Sequence, residues 1–500
     1  MVTTKELYQS YKDHMSRVAD IRYASAVLQW DQETYLPSKS AITRGQQIAT
    51  LSELAHQQFT DGKLGELLHE LSQRSDLSED EKKNTELTKE DYDKNKKYSS
   101  AFVRKMSEQV NKTFHAWIES RKQSSFDIFE KELVPLVRLK REETGILGYT
   151  DHPYNALLNE FEKGCTVTLL DKTFNGLLPQ LKNLLDRILE KPQVNDSFLR
   201  LHYPKQQQWD WGMHLIRELH FDFDAGRQDL SEHPFTINFS SSDVRITTRV
   251  NETNFSSMTW SCIHETGHAL YEQGLPADQY GVPLGEAASL SVHESQSRLW
   301  ENNAGRSFAF WKHYFSQLQH HFPTQLGPIT IEEFYKGINK VAPSFIRTEA
   351  DELTYHFHVF IRYQLEKNLI EGSIETKDIP AFWNENYKKY LGVTVTNDRL
   401  GCLQDIHWSH GSFGYFPTYS LGSFYAAQYF AAAGNQIGDI TQQIENGNSH
   451  NLLSWLRENI HRHGRKYTSE ELCKRITGKT LDTADFMRYL LQKYTMIYNL

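Results

Sequence analysis

His264, Glu265 and His268 lie within the run His264-Glu265-Thr266-Gly267-His268, and their spacing defines a chemistry. On a helix, residues four apart project from one face, so imidazoles at 264 and 268 can grip one divalent ion. A glutamate beside the first of them then stands next to the metal-bound water as a general base. Amide hydrolysis is the reaction such a set performs. The pattern alone is weak in a chain with 22 histidines. Its surroundings strengthen it, because Met258, Trp260, Ile263, Ala269 and Leu270 make 255–271 apolar enough for a buried helix. Gly267 costs that helix about 1 kcal/mol relative to alanine and is expected to leave room beside a metal and a substrate backbone.

A hydrolytic zinc usually has three protein ligands and one open position. One class of sites continues the motif as H-E-x-x-H-x-x-G-x-x-H, but Tyr271 and Gly274 stand where that pattern needs Gly and His. The other large class draws a glutamate from a later helix. Within 283–302, Ala287, Leu290, Glu294 and Ser297 follow a three-four spacing that turns Glu294 inward with the apolar stripe. A carboxylate there needs a partner, and a metal supplies one. Glu286 is expected in the first helical turn, where its charge favours the helix N-terminus. His293 points about a quarter-turn away and suits contact with a ligand's outer side or with substrate. The expected metal ligands are His264, His268 and Glu294.

The elements that must hold these groups are mostly helical. Residues 5–35, 40–75, 78–145 and 167–192 carry apolar residues at three-four spacing with few Gly or Pro. Helix resumes after residue 304 and includes Thr348–Glu371. Just before the histidine helix, Phe235-Thr236-Ile237-Asn238-Phe239 and Val244-Arg245-Ile246-Thr247-Thr248-Arg249-Val250 alternate and are β-branched, predicting a small antiparallel sheet. An edge strand there could lie along a substrate backbone. The charged run from Ser78 to Lys83 reads as a solvated helix face. No repeat, low-complexity tract or interdomain linker stands out, so a mainly α, single large unit is expected.

Composition narrows the partners. The 500 residues are 24% charged and 12% aromatic, which is globular rather than disordered. A net charge of −9 without a long basic block argues against nucleic acid or an anionic membrane as partner. No apolar run is long enough to span a bilayer, and Met1-Val2-Thr3-Thr4-Lys5-Glu6 lacks the apolar stretch of a secretory signal. Cys165, Cys262, Cys402 and Cys473 are too few and scattered for a disulfide framework. The expected location is the cytoplasm.

Six motifs in order give the chain a resemblance. They are His233-Pro234-Phe235, Asp243-Val244-Arg245-Ile246-Thr247, the H-E-x-x-H run, His293-Glu294-Ser295-Gln296, Ile346-Arg347-Thr348-Glu349-Ala350-Asp351 and Gly401-Cys402-Leu403-Gln404-Asp405-Ile406-His407-Trp408. Together they resemble the thermostable carboxypeptidase (carboxypeptidase Taq) family of metallocarboxypeptidases. The resemblance implies one catalytic domain over 1–500, its motif-bearing part 233–422, with two helical lobes flanking a deep central groove as in neurolysin and angiotensin-converting enzyme. It also implies release of single residues with broad specificity from peptides with a free C-terminus. One divalent ion per chain, zinc or alternatively cobalt, and a homodimer are implied as well.

Roles for the remaining residues follow from that chemistry. The tetrahedral oxyanion needs a donor besides the metal. The tract 411–419 offers two phenols, and related helical zincins use a tyrosine from a similar tract; Tyr419 is the first expectation and Tyr415 the second. A terminal carboxylate is matched by an arginine fork, and Arg347 is expected at the positive end of the Thr348–Glu371 helix. Its bland alternative is a surface pair with Glu349 or Asp351. Arg245 either meets substrate or pairs with Asp243 to brace its strand. His407 is expected to donate to substrate or to orient another group, and His233 is grouped with the substrate-binding residues. Asp405 could hold the outer nitrogen of a metal histidine. An oligopeptidase cutting internal bonds is the nearest rival; a closed structural zinc site lacks an evident fourth ligand.

Overall fold

The first helix, Thr4–Thr34, starts at a capping box in which Thr3 accepts from the Glu6 amide and Glu6 from the Thr3 amide. Side-chain caps also break up runs that periodicity alone joins. Residues 40–75 form two long helices, Ala41–Phe59 and Gly62–Ser72, because the Asp61 side chain takes the Lys63 amide at 2.9 Å and starts a new helix. Residues 78–145 form three, Glu79–Asn95, Ser100–Gln123 and Phe126–Leu147. Ser99 caps the second of these, and Ser124, with φ of 51°, ends it. Side chains of this kind compete with the helical ladder. Helix Val167–Leu189 lies where it is expected, capped by Thr166.

The computed structural model describes residues 2–500. The chain divides into two compact units, each built from three stretches. One comprises Met1–Lys96, Asn195–Ile338 and Ala426–Thr480; the other comprises Lys97–Val194, Asn339–Tyr425 and Leu481–Leu500. No helix among the described residues is long and apolar enough to cross a membrane. The four cysteines are buried and form no disulfide.

In the first unit, Leu7, Tyr11, Met15 and Val18 line one stripe of the long helix and pack with Leu64, Leu68 and Leu71. A three-stranded sheet follows: β1 (Gly226–Leu230), β2 (Thr236–Ser240) and β3 (Asp243–Thr248). The two expected strands, β2 and β3, pair antiparallel with Ile237 opposite Arg245. The sheet is nevertheless mixed, because β1 joins β3 in parallel. Gly226-Arg227-Gln228-Asp229-Leu230 has no alternating β-branched pattern to announce it. Gly226 matters there, since a Cβ would come within 2.1 Å of Val244 O. Val244 and Ile246 face a core with Ile216, Phe221, Met258, Cys262 and Ala269, and this core seats the helix Phe255–Glu272 against the sheet.

In the second unit the helix Tyr355–Glu371 is central, with almost every side chain buried. It begins later than Thr348. Asp351 accepts from the amides of Leu353 and Thr354 at 3.0 and 2.9 Å, so helix starts after it, and Arg347–Glu349 is a single 3-10 turn. Arg347 therefore does not stand at a helix N-terminus.

Candidate metal centre and substrate-binding groups

The helix Phe255–Glu272 presents His264 and His268 on one face, their rings 4.9 Å apart. Glu294 comes from the helix Leu290–Arg298, which Ser289 caps by accepting from the Val292 amide. Glu286 lies before that helix in extended backbone and pairs with Arg465 at 2.8 Å, so it is not a first-turn residue. The two helices touch through Gly267, where a Cβ would lie 2.6 Å from Ser297 Cα and 2.8 Å from Gln296 O. The glycine makes room for a helix backbone, not for substrate.

One donor atom each of His264, His268 and Glu294 falls within 4.8 Å of the others. Glu294 Oε2 is 3.9 Å from His264 Nε2 and 3.4 Å from His268 Nε2. A tetrahedral ion with bonds of about 2.0–2.2 Å has donor edges of roughly 3.3–3.6 Å, so this triad fits a divalent cation with small adjustments.

Partners behind the three side chains leave both Nε2 atoms and Glu294 Oε2 turned toward one another, with Ser297 Oγ donating to Oε2 at 3.4 Å. His264 Nδ1 lies 2.8 Å from Glu301 Oε2, and Arg298 and Arg306 neutralise that carboxylate at 3.1 and 3.4 Å. His268 Nδ1 meets His293 Nδ1 at 2.5 Å, and His293 Nε2 meets Glu272 Oε1 at 2.7 Å. Protons then run outward: His264 to Glu301, His268 to His293, His293 to Glu272. Burial raises the Glu294 carboxyl, but Arg298, at 2.7 Å, and the two histidines outweigh it and hold the group far below the usual range. Burial and His293 push His268 down to about 3, leaving a neutral ring suited to ligation.

Glu265 is buried beside the triad, and Thr236 of β2 donates to its Oε2 at 2.6 Å. Burial raises its pKa despite His264 and that hydrogen bond. Two residues along β2, Asn238 donates to Glu272 at 2.7 Å. One strand face thus braces two carboxylates of the histidine helix. Arg245 is clamped by both oxygens of Asp243 at 3.0 and 2.9 Å and lies between Trp30 and Phe239. His233 is exposed in the turn between β1 and β2.

The second unit gathers the other expected residues. Arg347 is 6% exposed, donates to Asp405 at 3.0 Å and to the Tyr355 hydroxyl at 2.9 Å, and makes no surface pair. Asp405 also takes Arg362 at 2.6 Å. It belongs to the arginines and to no metal histidine; Glu301 and His293 fill the role assigned to it from sequence. Burial raises Asp405, but Arg362 and Arg347 together hold it well below the usual carboxylate range. Two buried guanidiniums thus share one carboxylate. His407 Nε2 meets the Tyr419 hydroxyl at 3.1 Å, whereas its buried Nδ1 has no hydrogen-bond partner among the described residues. Burial and Arg347 push His407 down to about 3, so the ring is neutral. Tyr415 packs on His407 and Tyr419 with ring centres 5.2 and 5.3 Å away.

Sequence reasoning missed Glu301, Arg298, Thr236, Asn238, Glu272 and Arg362. Glu301 had a signal, lying seven residues past Glu294 on the same side, although the helix there continues as a π segment, Leu299–Ala304. Thr236 and Asn238 follow from strand alternation only once the strand's neighbour is known.

A helical fold with an H-E-x-x-H helix and a glutamate from a second helix defines a metallopeptidase. The comparisons agree: the carboxypeptidase Taq (M32) metallopeptidase model matches residues 10–494, and the chain belongs to that family. Carboxypeptidase 1 of Bacillus subtilis is 37% identical over 98% of each chain. The solved structure of a protein designated CHT has a TM-score of 0.97 and 57% identity, covering 98% of this chain and 99% of that one. The M32 carboxypeptidase of Deinococcus radiodurans has a TM-score of 0.97 at 37% identity, covering 99% of this chain and all of that one. The protein is a metal-dependent carboxypeptidase.

Proposed function

We propose that the chain trims single residues from the free C-terminus of peptides with broad specificity, using zinc, or alternatively cobalt, held by His264, His268 and Glu294. When bound, the ion supplies Lewis acidity toward a water and toward the scissile carbonyl. Glu265 takes the proton of that water and returns it to the departing amine, and its raised pKa suits a group that must both accept and release a proton. Thr236 fixes the carboxylate that does so.

Arg347 receives the substrate's carboxylate as a fork. The observation that carries this reading is the buried pair of guanidiniums on a single carboxylate, which leaves one positive charge unmatched within the cluster. A buried surplus charge calls for an anion. Tyr419, oriented by His407, donates to the oxyanion, with Tyr415 as the second phenol. Arg245 meets the bound peptide only through its bracing of β3, and His233 contacts it at the turn. Resemblance to the family supports a homodimer in the cytoplasm.

The test is mass spectrometry of one peptide as free acid and as C-terminal amide, with and without chelator. The free acid should yield a ladder losing one residue at a time from the C-terminus, abolished by chelator, and the amide should stay intact. Internal cuts, or equal turnover of the amide, would replace this reading with an oligopeptidase.

A further inference from the structure

Glu366 is a fully buried carboxylate that the proposed chemistry does not use. It sits in the helix Tyr355–Glu371 and accepts from three other elements. Trp408 Nε1 donates to Oε1 at 2.7 Å, the Gly414 amide donates to Oε2 at 2.8 Å, and the Tyr154 hydroxyl donates to Oε2 as well. Each of the first two adjoins a residue assigned to substrate: Trp408 follows His407, and Gly414 precedes Tyr415. Three residues after Gly414 the chain enters the helix Pro417–Ile437, whose first turn carries Tyr419.

The helix Tyr154–Phe161 supports the same loop along one face. Tyr154 reaches Glu366, Phe161 packs edge-on against Tyr415 at 5.2 Å, and between them Leu157 abuts Gly414. A Cβ on Gly414, whose φ is 100°, would lie 2.6 Å from Leu157 O. Burying a carboxylate that has only the charge of Lys140 nearby and makes no ion pair among the described residues is costly, and an apolar residue would fill the space without that cost. Acceptance of three donors is what a carboxylate offers there and a leucine does not. Burial pushes Glu366 up to about 7 despite those three bonds.

We propose that Glu366 is a positioning residue for the peptidase reaction, tying Trp408 and Gly414 together so that His407, Tyr415 and Tyr419 are held in fixed mutual orientation. This rests on the substrate-side roles assigned above to those three residues. Glu366→Gln tests it, because the amide puts a donor against either the Trp408 or the Gly414 N–H, whichever way it turns. The variant should lose at least about tenfold in kcat/KM, the factor one unsatisfied buried donor is worth. Its metal affinity by chelator competition should stay within about twofold, since His264, His268 and Glu294 belong to the other unit.

Glu366→Gln/Trp408→Phe should recover part of the loss, because removing the indole N–H frees the amide to face that side while its oxygen keeps Gly414. A merely structural role predicts that the second substitution deepens the loss. Should Glu366→Gln fail to fold, Tyr154→Phe, which removes one donor and adds no clash, should still lower kcat/KM by about threefold or more. Tyr419→Phe in parallel separates the two readings. Reduced activity there, with wild-type kinetics in Glu366→Gln or in Tyr154→Phe, overturns the Glu366 assignment alone. Wild-type kinetics in both Tyr419→Phe and His407→Ala overturn the substrate-side reading and the inference with it.

Discussion

Replacing Glu265 by glutamine keeps an oxygen for Thr236 to donate to but removes the group that moves a proton. The variant should hold its metal, because the three ligands keep their own supports in Glu301, His293 and Arg298. Its kcat should fall by roughly 10²–10⁴-fold, the range general acid–base catalysis covers. Single-turnover kinetics alongside metal analysis measures both, and near-normal turnover would remove Glu265 from its role. Asp405 carries a prediction of stability. Asp405→Asn leaves two buried guanidiniums without a carboxylate and should cost about 3–5 kcal/mol. Since the folded group lies below its ordinary value of 3.8, its contribution is full above that pH and is lost as pH falls toward the folded value. Urea midpoints of wild type and variant should therefore differ most at neutral pH, and the gap should narrow by about 1 kcal/mol by pH 3. A gap that stayed constant would mean that Asp405 is not held ionised by its arginines.

Elements place these side chains, and the two helices of the candidate metal centre approach each other closely at Gly267. A methyl group there meets two backbone atoms of the Glu294 helix, neither of which can swing aside. Gly267→Ala should cost about 1–3 kcal/mol and draw Glu294 away from the histidines. Metal affinity should drop by tenfold or more in chelator titration; unchanged affinity would show that the triad does not depend on that contact. The sequence made the histidine helix, the inward Glu294 and the β2–β3 hairpin legible because each rests on local spacing. It hid whatever depends on what packs where. β1 has no strand pattern and is held by a partner distant in sequence. The late start of the Tyr355–Glu371 helix turns on one Asp351 side chain choosing its amides. Sequence places Arg347 at a helix N-terminus as a carboxylate fork, with a pair to Glu349 or Asp351 as the alternative, and only the fold supplies Asp405, 58 positions away.

For the whole chain, connectivity matters more than the count of units. The polypeptide passes between the two units five times, at the boundaries after residues 96, 194, 338, 425 and 480. Neither unit can unravel without releasing the ends of segments that belong to the other. The proposed ligands His264, His268 and Glu294 all belong to one unit, yet the binding energy of an ion held there should stabilise the molecule as a whole. An ion at a hundred times its Kd adds about 2.7 kcal/mol to the folded state by mass action. Calorimetry should therefore show one transition for the metal-loaded enzyme and one for the chelated enzyme, the second a few degrees lower. Two separated transitions after chelation, with only one responding to added zinc, would show instead that the units fold independently. The metal would then hold together only the unit that carries His264, His268 and Glu294.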